Sequence, residues 1–353
     1  MKRKTKKNAK EISLEKWGRA CNKKLKIRKI QPLHHFFTAG DQQKIKLGEE
    51  ALKKGSVGCL IAAGGVGSRL GYKGPKGTFP LDHQGTTLFK IHCKKILNTT
   101  KKFGHCLPIA IMTSEDNDLA TREYFKKNDY FGLREENLHF FKQRSLPYLD
   151  EHNNPITDEN GCAIMGPNGN GELLHLFGAT PFYESWKELG VKTVTTILVD
   201  NALAEPFDPE LIGFHLSHHD EITVKAIERQ NASEKVGVLV EEENKIRIIE
   251  YSEISQEEAE AVDDQGKLKY PLANISLFAF SLEFIERVVD EEMPLHASWK
   301  AISPGGPQGW KLETFIFDLL EFTDRVNILV YPRESCFAPL KSKEDITKTR
   351  IPK

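Results

Sequence analysis

Cysteine is scarce in this 353-residue chain, and the six present (Cys21, Cys59, Cys93, Cys106, Cys162, Cys336) form no C-x-x-C pair. That excludes a zinc cluster or a disulfide framework, and points to core thiols in a reducing, cytoplasmic compartment. Net charge is also missing. Fifty Lys and Arg balance fifty Asp and Glu, so no overall field draws the chain to nucleic acid or to a membrane surface. No apolar run approaches the roughly 18 residues of a membrane helix, and the basic start lacks the hydrophobic stretch of a secretory signal. One local excess stands out: residues 2–29 carry thirteen Lys/Arg against Glu11 and Glu15, which reads as a solvated, frayed arm within a basic helical segment 1–50.

The segment 57–80, VGCLIAAGGVGSRLGYKGPKGTFP, carries the strongest signal. A short apolar run, Cys59 to Ala63, has the pattern of a strand buried on both faces of a parallel sheet. It runs into Gly64, Gly65 and Gly67, where bare backbone N–H groups can approach an anion. Arg69, Lys73 and Lys76 supply countercharge, and Pro75 stiffens the approach to Lys76. Two better-known phosphate loops do not fit. A Walker A loop needs a Gly-Lys pair, absent from this segment, and the dinucleotide fingerprint finds Leu70 where its third glycine belongs.

Strand and helix patterns alternate along the chain: helices at 41–54, 87–99 and 117–128 interleave with strands at 57–63 and 108–113. Such alternation means βαβ units and a mainly parallel sheet. The stretch 173–189 is helical in pattern and should divide at Pro181. It leads to a strand, 194–199, ending at Asp200 and Asn201. From 222 to 251 the texture becomes β-rich, with 236–240 and 246–250 read as a hairpin around the solvated acidic turn 241–244. A further apolar strand 273–280, a helix 281–290, a loop 303–309, a helix 312–322 and a strand 326–331 follow. A helix over 211–219 carries His215, His218 and His219, read as surface histidines rather than metal ligands.

Ligands of open α/β sheets collect beyond the carboxyl ends of strands, which draws attention to Asp200. A strand-end carboxylate suits magnesium, which takes one or two carboxylates and fills its shell with phosphate oxygens; the same residue can equally be a turn cap. Gly166-Pro-Asn-Gly-Asn-Gly171 is a second glycine-rich turn before a helix, open enough for a flat base or a sugar. Lys341 sits on a short loop late in the chain. No Ser-His-Asp arrangement can be assembled, and a thiolate at Cys59 in an apolar strand would be costly.

The order of these pieces resembles the eukaryotic-type UDP-sugar pyrophosphorylases, most of all their UDP-N-acetylhexosamine branch. The similarity runs from about 51 to 341 through AAGGVGSRLG with PKG, IMTSEDN, YFGLREENLHFFKQRSLP, GPNGNGELLHLF, LVDNALAEPFDPELIGFH, EKVGVLV, IIEYSEIS, LANISLFAF, GWKLETFIFDLLEF and YPRESCFAPLK. It implies a GT-A-like Rossmann nucleotidyltransferase core over 51–341, a mainly parallel sheet flanked by helices, with a small β-rich sugar-side part over 221–280 and a tail at 342–353. It also implies a uridylyltransferase that joins UTP to N-acetylglucosamine 1-phosphate with Mg2+ and releases pyrophosphate, acting as a monomer or weak homo-oligomer.

Carried onto this sequence, the resemblance places uridine against the backbone of Ala63, Gly64 and Gly65, the Gln143 side chain and Gly169. It gives Arg69, Lys76 and Lys341 to the phosphates as catalytic cations, Asp200 to the metal, and Asn170, Gly237, Glu250 and Asn274 to the sugar. Glu172 stands where that branch has a further glycine, and GYKGPKG has a UDP-glucose-enzyme flavour, so glucose or galactose 1-phosphate stays open as substrate. The family normally continues beyond the equivalent of Lys341, which leads to the expectation of a short member or a truncated one. From other classes, a non-catalytic nucleotide-sugar binder and an NAD-dependent oxidoreductase remain as alternatives.

Overall fold

The computed structural model describes residues 16–18, 20–21, 29–303 and 305–347. Most of the basic arm therefore lies outside the described residues. Eight strands make the path of the main sheet: β1 (Phe37–Thr38), β2 (Val57–Ala62), β3 (Ile109–Thr113), β4 (Leu138–Lys142), β5 (Thr193–Leu198), β6 (Ile222–Glu228), β7 (Leu272–Ser281) and β8 (Val326–Val330). Their spatial order is β1-β8-β6-β7-β5-β2-β3-β4. Every neighbouring pair is parallel except those of β7, which runs antiparallel to both β5 and β6. This is the mainly parallel, helix-flanked α/β core that the alternating pattern implies.

The central strands are buried along their whole length, all six residues of β2 and all five of β3, as helices on both sheet faces require. Gly58 in β2 has a packing reason: a Cβ there would lie 2.2 Å from the ring of Trp186, which is fully buried on that face. The expected break at Pro181 is present, with helices Leu173–Gly178 and Pro181–Glu188 on either side of it. The hairpin is present too, as strands Gly237–Glu242 and Lys245–Ile249. Its turn is tighter than 241–244, since only Glu243 and Asn244 take positive φ (53° and 60°) while Glu241 and Glu242 stay in the ladder.

Three expectations need correction. The stretch 312–322 is not one helix: Gln308–Glu313 pairs with His296–Ala301 as a two-stranded ribbon, and a 3-10 turn, Ile316–Phe322, follows. Cross-strand pairing of Trp310 with Trp299, rings 5.2 Å apart and edge to face, overrides the helical period of the segment. His215 is not at the surface. It is 2% exposed, hydrogen-bonded at 3.0 Å to Thr223, and burial pushes its imidazole down to about 3. Finally, only Cys59, Cys93 and Cys336 are core thiols, while Cys162 is exposed and Cys21 and Cys106 are half-buried. Among the described residues no helix is long and apolar enough to cross a membrane.

Candidate active site

The glycine segment leaves β2 at its carboxyl end and folds back on itself, with Lys76 N–H donating to Gly65 O (3.0 Å) and Gly67 N–H to Gly74 O (2.9 Å). Asn117 pins it from below, its amide Nδ2 donating to Ala63 O (2.9 Å) and Gly65 O (3.1 Å). Ala63 also spends its own N–H on Met112 O (2.8 Å). Just past β4 the buried Gln143 lies over Gly64 so closely that a Cβ there would come within 2.1 Å of its Nε2. Gln143 Oε1 is buried with no hydrogen-bond partner among the described residues. An unpaired amide oxygen beside a bare backbone suits the donor edge of a nucleobase, because an orphaned buried acceptor gains most from being satisfied.

The second glycine turn closes the opposite wall. Gly169 takes φ +79°, and a Cβ there would strike Thr314 O at 2.4 Å, so both conformation and space demand glycine. Thr314 O accepts from Gly171 N–H (3.0 Å), and Asn170 Oδ1 accepts from Ile316 N–H (3.1 Å). These bonds fix the turn against the end of the ribbon.

At the floor, Asp200 follows β5 and is only 8% exposed. Its Oδ2 accepts from Lys76 Nζ and from Lys341 Nζ, both at 2.8 Å, whereas its Oδ1 is buried without a partner. Burial pushes this carboxyl up, but Lys341 and Lys76 together outweigh it and hold it well below the usual carboxylate range. The segment carrying Lys341 is anchored alongside: Asn201 donates to Cys336 O (2.8 Å) and accepts from Ala338 N–H (2.9 Å), and Leu340 N–H donates to Asp200 O (2.8 Å).

The third side is built by the hairpin and β7. Gly237 pairs with Asn274 in register, and Val238 faces Ile249 next to Glu250. A bulge between Asn274 and Leu277, with Ser276 at φ +55° and its N–H on Asn274 Oδ1 (2.9 Å), turns this part of β7 toward the cavity. Burial, with Glu253 and Glu313 nearby, pushes the Glu250 carboxyl from 4.5 up to about 7. Behind it, His296 bonds Glu253 (2.7 Å) and Asp318 (2.9 Å); burial opposes its charge, but the two carboxylates win and raise it to about 9.

A raised carboxyl means that the folded protein keeps a proton the unfolded chain releases between pH 4.5 and about 7. Stability should therefore fall as pH rises through that window, by up to about 3 kcal/mol at 1.36 kcal/mol per unit. Glu250→Gln is expected to remove this slope. Denaturant unfolding of both proteins from pH 4.5 to 8 checks it, and parallel slopes would remove Glu250 as the source.

Of the residues singled out from sequence, Gly64, Gly65, Lys76, Gln143, Gly169 and Asn170 line one cavity of about 400 Å³. Asp200, Gly237, Glu250, Asn274 and Lys341 line it as well. Ala63 and Arg69 do not. The Ala63 N–H and carbonyl are both engaged in the fold, and Arg69 is exposed on the 3-10 turn Ser68–Leu70. Sequence reasoning missed Lys311 and Glu313, which also line the cavity. Glu313 binds Lys311 at 2.6 Å and Lys300 at 3.1 Å. Burial depresses the Lys311 ammonium against the pull of Glu313, and Lys300 and Arg69 add to the depression, so Arg69 stands near enough to be felt. The signal was the alternation in GWKLET, which puts Lys311 and Glu313 on the same strand face. Reading it as helix hid that.

Among the described residues no group of three or more His, Cys, Asp or Glu side chains could hold a metal. One carboxylate with an unpaired buried oxygen fits a magnesium ion that draws its remaining ligands from phosphate and water.

A sequence model of the UTP–glucose-1-phosphate uridylyltransferase family matches residues 5–350. The chain is similar to the UDP-N-acetylglucosamine pyrophosphorylase of Saccharomyces cerevisiae, 35% identical over 92% of this chain and 74% of the relative. It is also similar to a probable UDP-N-acetylglucosamine pyrophosphorylase of Schizosaccharomyces pombe, 32% identical over 95% of this chain and 75% of the relative. Among solved structures, the uridine diphosphate N-acetylglucosamine pyrophosphorylase from Trypanosoma brucei superposes with a TM-score of 0.82 at 30% identity, covering 96% of this chain and 75% of that one. With the family match spanning nearly the whole sequence and a cavity in which two glycine turns face the buried Asp200 and the lysines it pairs with, the chain belongs to the UTP–glucose-1-phosphate uridylyltransferase family and is a nucleotidyltransferase.

Proposed function

We propose that this protein joins UTP to N-acetylglucosamine 1-phosphate, giving UDP-N-acetylglucosamine and pyrophosphate. The observation that carries the reading is the meeting of Lys76 and Lys341 on one buried carboxylate, between an amide-lined cleft and the bulged edge of β7. Nucleotidyl transfer needs alignment and neutralisation of oxygens that gain charge, with little covalent work from the protein. Gln143 and the bare backbone at Gly64 and Gly169 hold the uracil flat. Lys76 holds the phosphate at which bonds change, and Lys341 shares the charge of the incoming sugar phosphate. Asn170, Asn274 and Glu250 hold the sugar, Glu250 offering a proton donor below about pH 7 and an acceptor above it.

The sugar phosphate oxygen attacks the α-phosphorus in line; one P–O bond forms as the bond to the pyrophosphate oxygen breaks, with no covalent enzyme intermediate. Asp200 would hold Mg2+, which supplies further charge neutralisation on the phosphates. Before substrate enters, Asp200 also keeps the two ammoniums from repelling each other.

The test is pyrophosphate release with UTP and N-acetylglucosamine, glucose or galactose 1-phosphate, with and without Mg2+. The expected outcome is a Mg2+-dependent rate highest with the acetylated sugar. A preference for glucose 1-phosphate would move the substrate, and no turnover with any sugar would leave a nucleotide-sugar binder.

A further inference from the structure

The loop 229–236, which joins β6 to the hairpin, forms part of the cavity wall through Lys235 and Val236. Of its residues (RQNASEKV) only Val236, at its end, joins the hydrophobic core, so the rest of the loop needs polar contacts to stay in place. It is held by two arginines. Buried Arg229 donates to Tyr270 O (3.0 Å) and Ala232 O (2.9 Å) from within. Arg333 reaches across from the short α-helix Arg333–Cys336: its Nη2 donates to both oxygens of Glu234 (2.7 and 2.8 Å) and to Glu228 O (3.0 Å). Glu234 Oε2 also accepts from Gln230 N–H (2.8 Å), closing the loop on itself. The pair is mostly shielded, with side-chain exposures of 21% for Arg333 and 15% for Glu234, so water screens it little and its geometry is defined.

What Arg333 is attached to gives the pair its meaning. Its guanidinium packs over Phe337, centroid distance 5.4 Å, and Phe337 lines the cavity. Four residues further on, Lys341 reaches Asp200. Lys235 and Lys341 thus sit on walls made by segments a hundred residues apart in sequence, and the Glu234–Arg333 contact joins those walls directly.

We propose that Glu234–Arg333 is a positioning clasp: it holds the wall bearing Lys235 against the segment bearing Phe337 and Lys341, so that two ammoniums from separate parts of the chain face the phosphates bound in one cavity. Neither Glu234 nor Arg333 touches the anion. The inference rests on the assignment of Lys341 to phosphate.

Inorganic pyrophosphate is the probe, bound to the full chain and measured by calorimetry, alongside kcat, KM and melting temperature. Glu234→Gln and Arg333→Gln should each weaken pyrophosphate binding about ten-fold, and the double variant should be no worse than either single, as for one shared contact. Lys235→Ala should weaken binding in the wild-type background but have little further effect in Arg333→Gln. The charge-reversed pair Glu234→Arg with Arg333→Glu should recover most of the affinity. Losses that add in the double variant, or a lower melting temperature with unchanged pyrophosphate affinity, would overturn the clasp. If the wild type binds pyrophosphate but turns over no sugar phosphate, the proposed reaction fails while these affinities still judge the clasp. If the wild type does not bind pyrophosphate, both fall.

Discussion

Lys76→Ala is expected to lower kcat by about 10²–10³, the loss that follows removal of one preorganised charge donor, while the protein stays folded. Preorganisation is visible in how the backbone around it is locked. Pro75 sets φ at −57° at the entry to the 3-10 turn Lys76–Thr78, and Thr78 Oγ1 donates back to Pro75 O (2.8 Å). Tyr72 meets Thr78 Oγ1 at 3.0 Å, and Gly77 lies so close to Phe89 that a Cβ would come within 2.3 Å of its ring. The lysine therefore cannot drift with its backbone, and at 16% exposure its ammonium is poorly screened. Removing it leaves Asp200 still paired with Lys341, so the stability cost should stay below the roughly 3–5 kcal/mol that follows when a buried charge loses its partner. Steady-state kinetics beside a melting curve separates the two effects. Wild-type turnover in the variant would take Lys76 out of the mechanism.

The part of this site that was legible in sequence is the part made by short-range rules. A buried strand running into glycines, a carboxylate just past the end of another strand, and a glycine turn ahead of a helix are local patterns, and Gly64, Asp200 and Gly169 were found that way. Lys341 was not: by its own context it is only a lysine on a short loop, and the resemblance alone gives it to the phosphates. Its meeting with Asp200 depends on Asn201 clamping the chain at Cys336 and Ala338, a contact spanning about 135 residues that no window of sequence contains.

Lys311 and Glu313 were lost for the opposite reason. Their local pattern fitted two periodicities, and pairing with His296–Ala301 decided between them. His215 shows a third limit, since histidine near the end of a helix reads as polar surface, yet this one faces β6 through Thr223. For Arg69 the family pattern pointed to phosphate, whereas its side chain is exposed on the rim, close to Lys311 but outside the cavity lining.

Asp200→Asn should have the second large effect, and a less simple one. Two ammoniums each 2.8 Å from the same oxygen are held close only because that oxygen is charged. At about 5 Å and an effective dielectric near 20, their mutual repulsion is about 3 kcal/mol. Lys341, with half its side chain exposed, can relieve much of this by turning to water, which leaves a net stability loss of about 1–2 kcal/mol. The sign with pH follows from the depressed folded value: the stabilisation from Asp200 is present above pH 3.8 and is lost as pH falls toward that lower value. The acid limb of the stability curve should therefore flatten in the variant. Turnover should collapse by about 10³, since both the anchor of the cations and the unpaired Oδ1 that suits a metal are changed at once. Pyrophosphate binding without metal should move the other way and strengthen, because the carboxylate no longer competes with phosphate for Lys76 and Lys341. A variant that keeps wild-type turnover and an unchanged Mg2+ dependence would remove Asp200 from the chemistry and leave it a structural counterion.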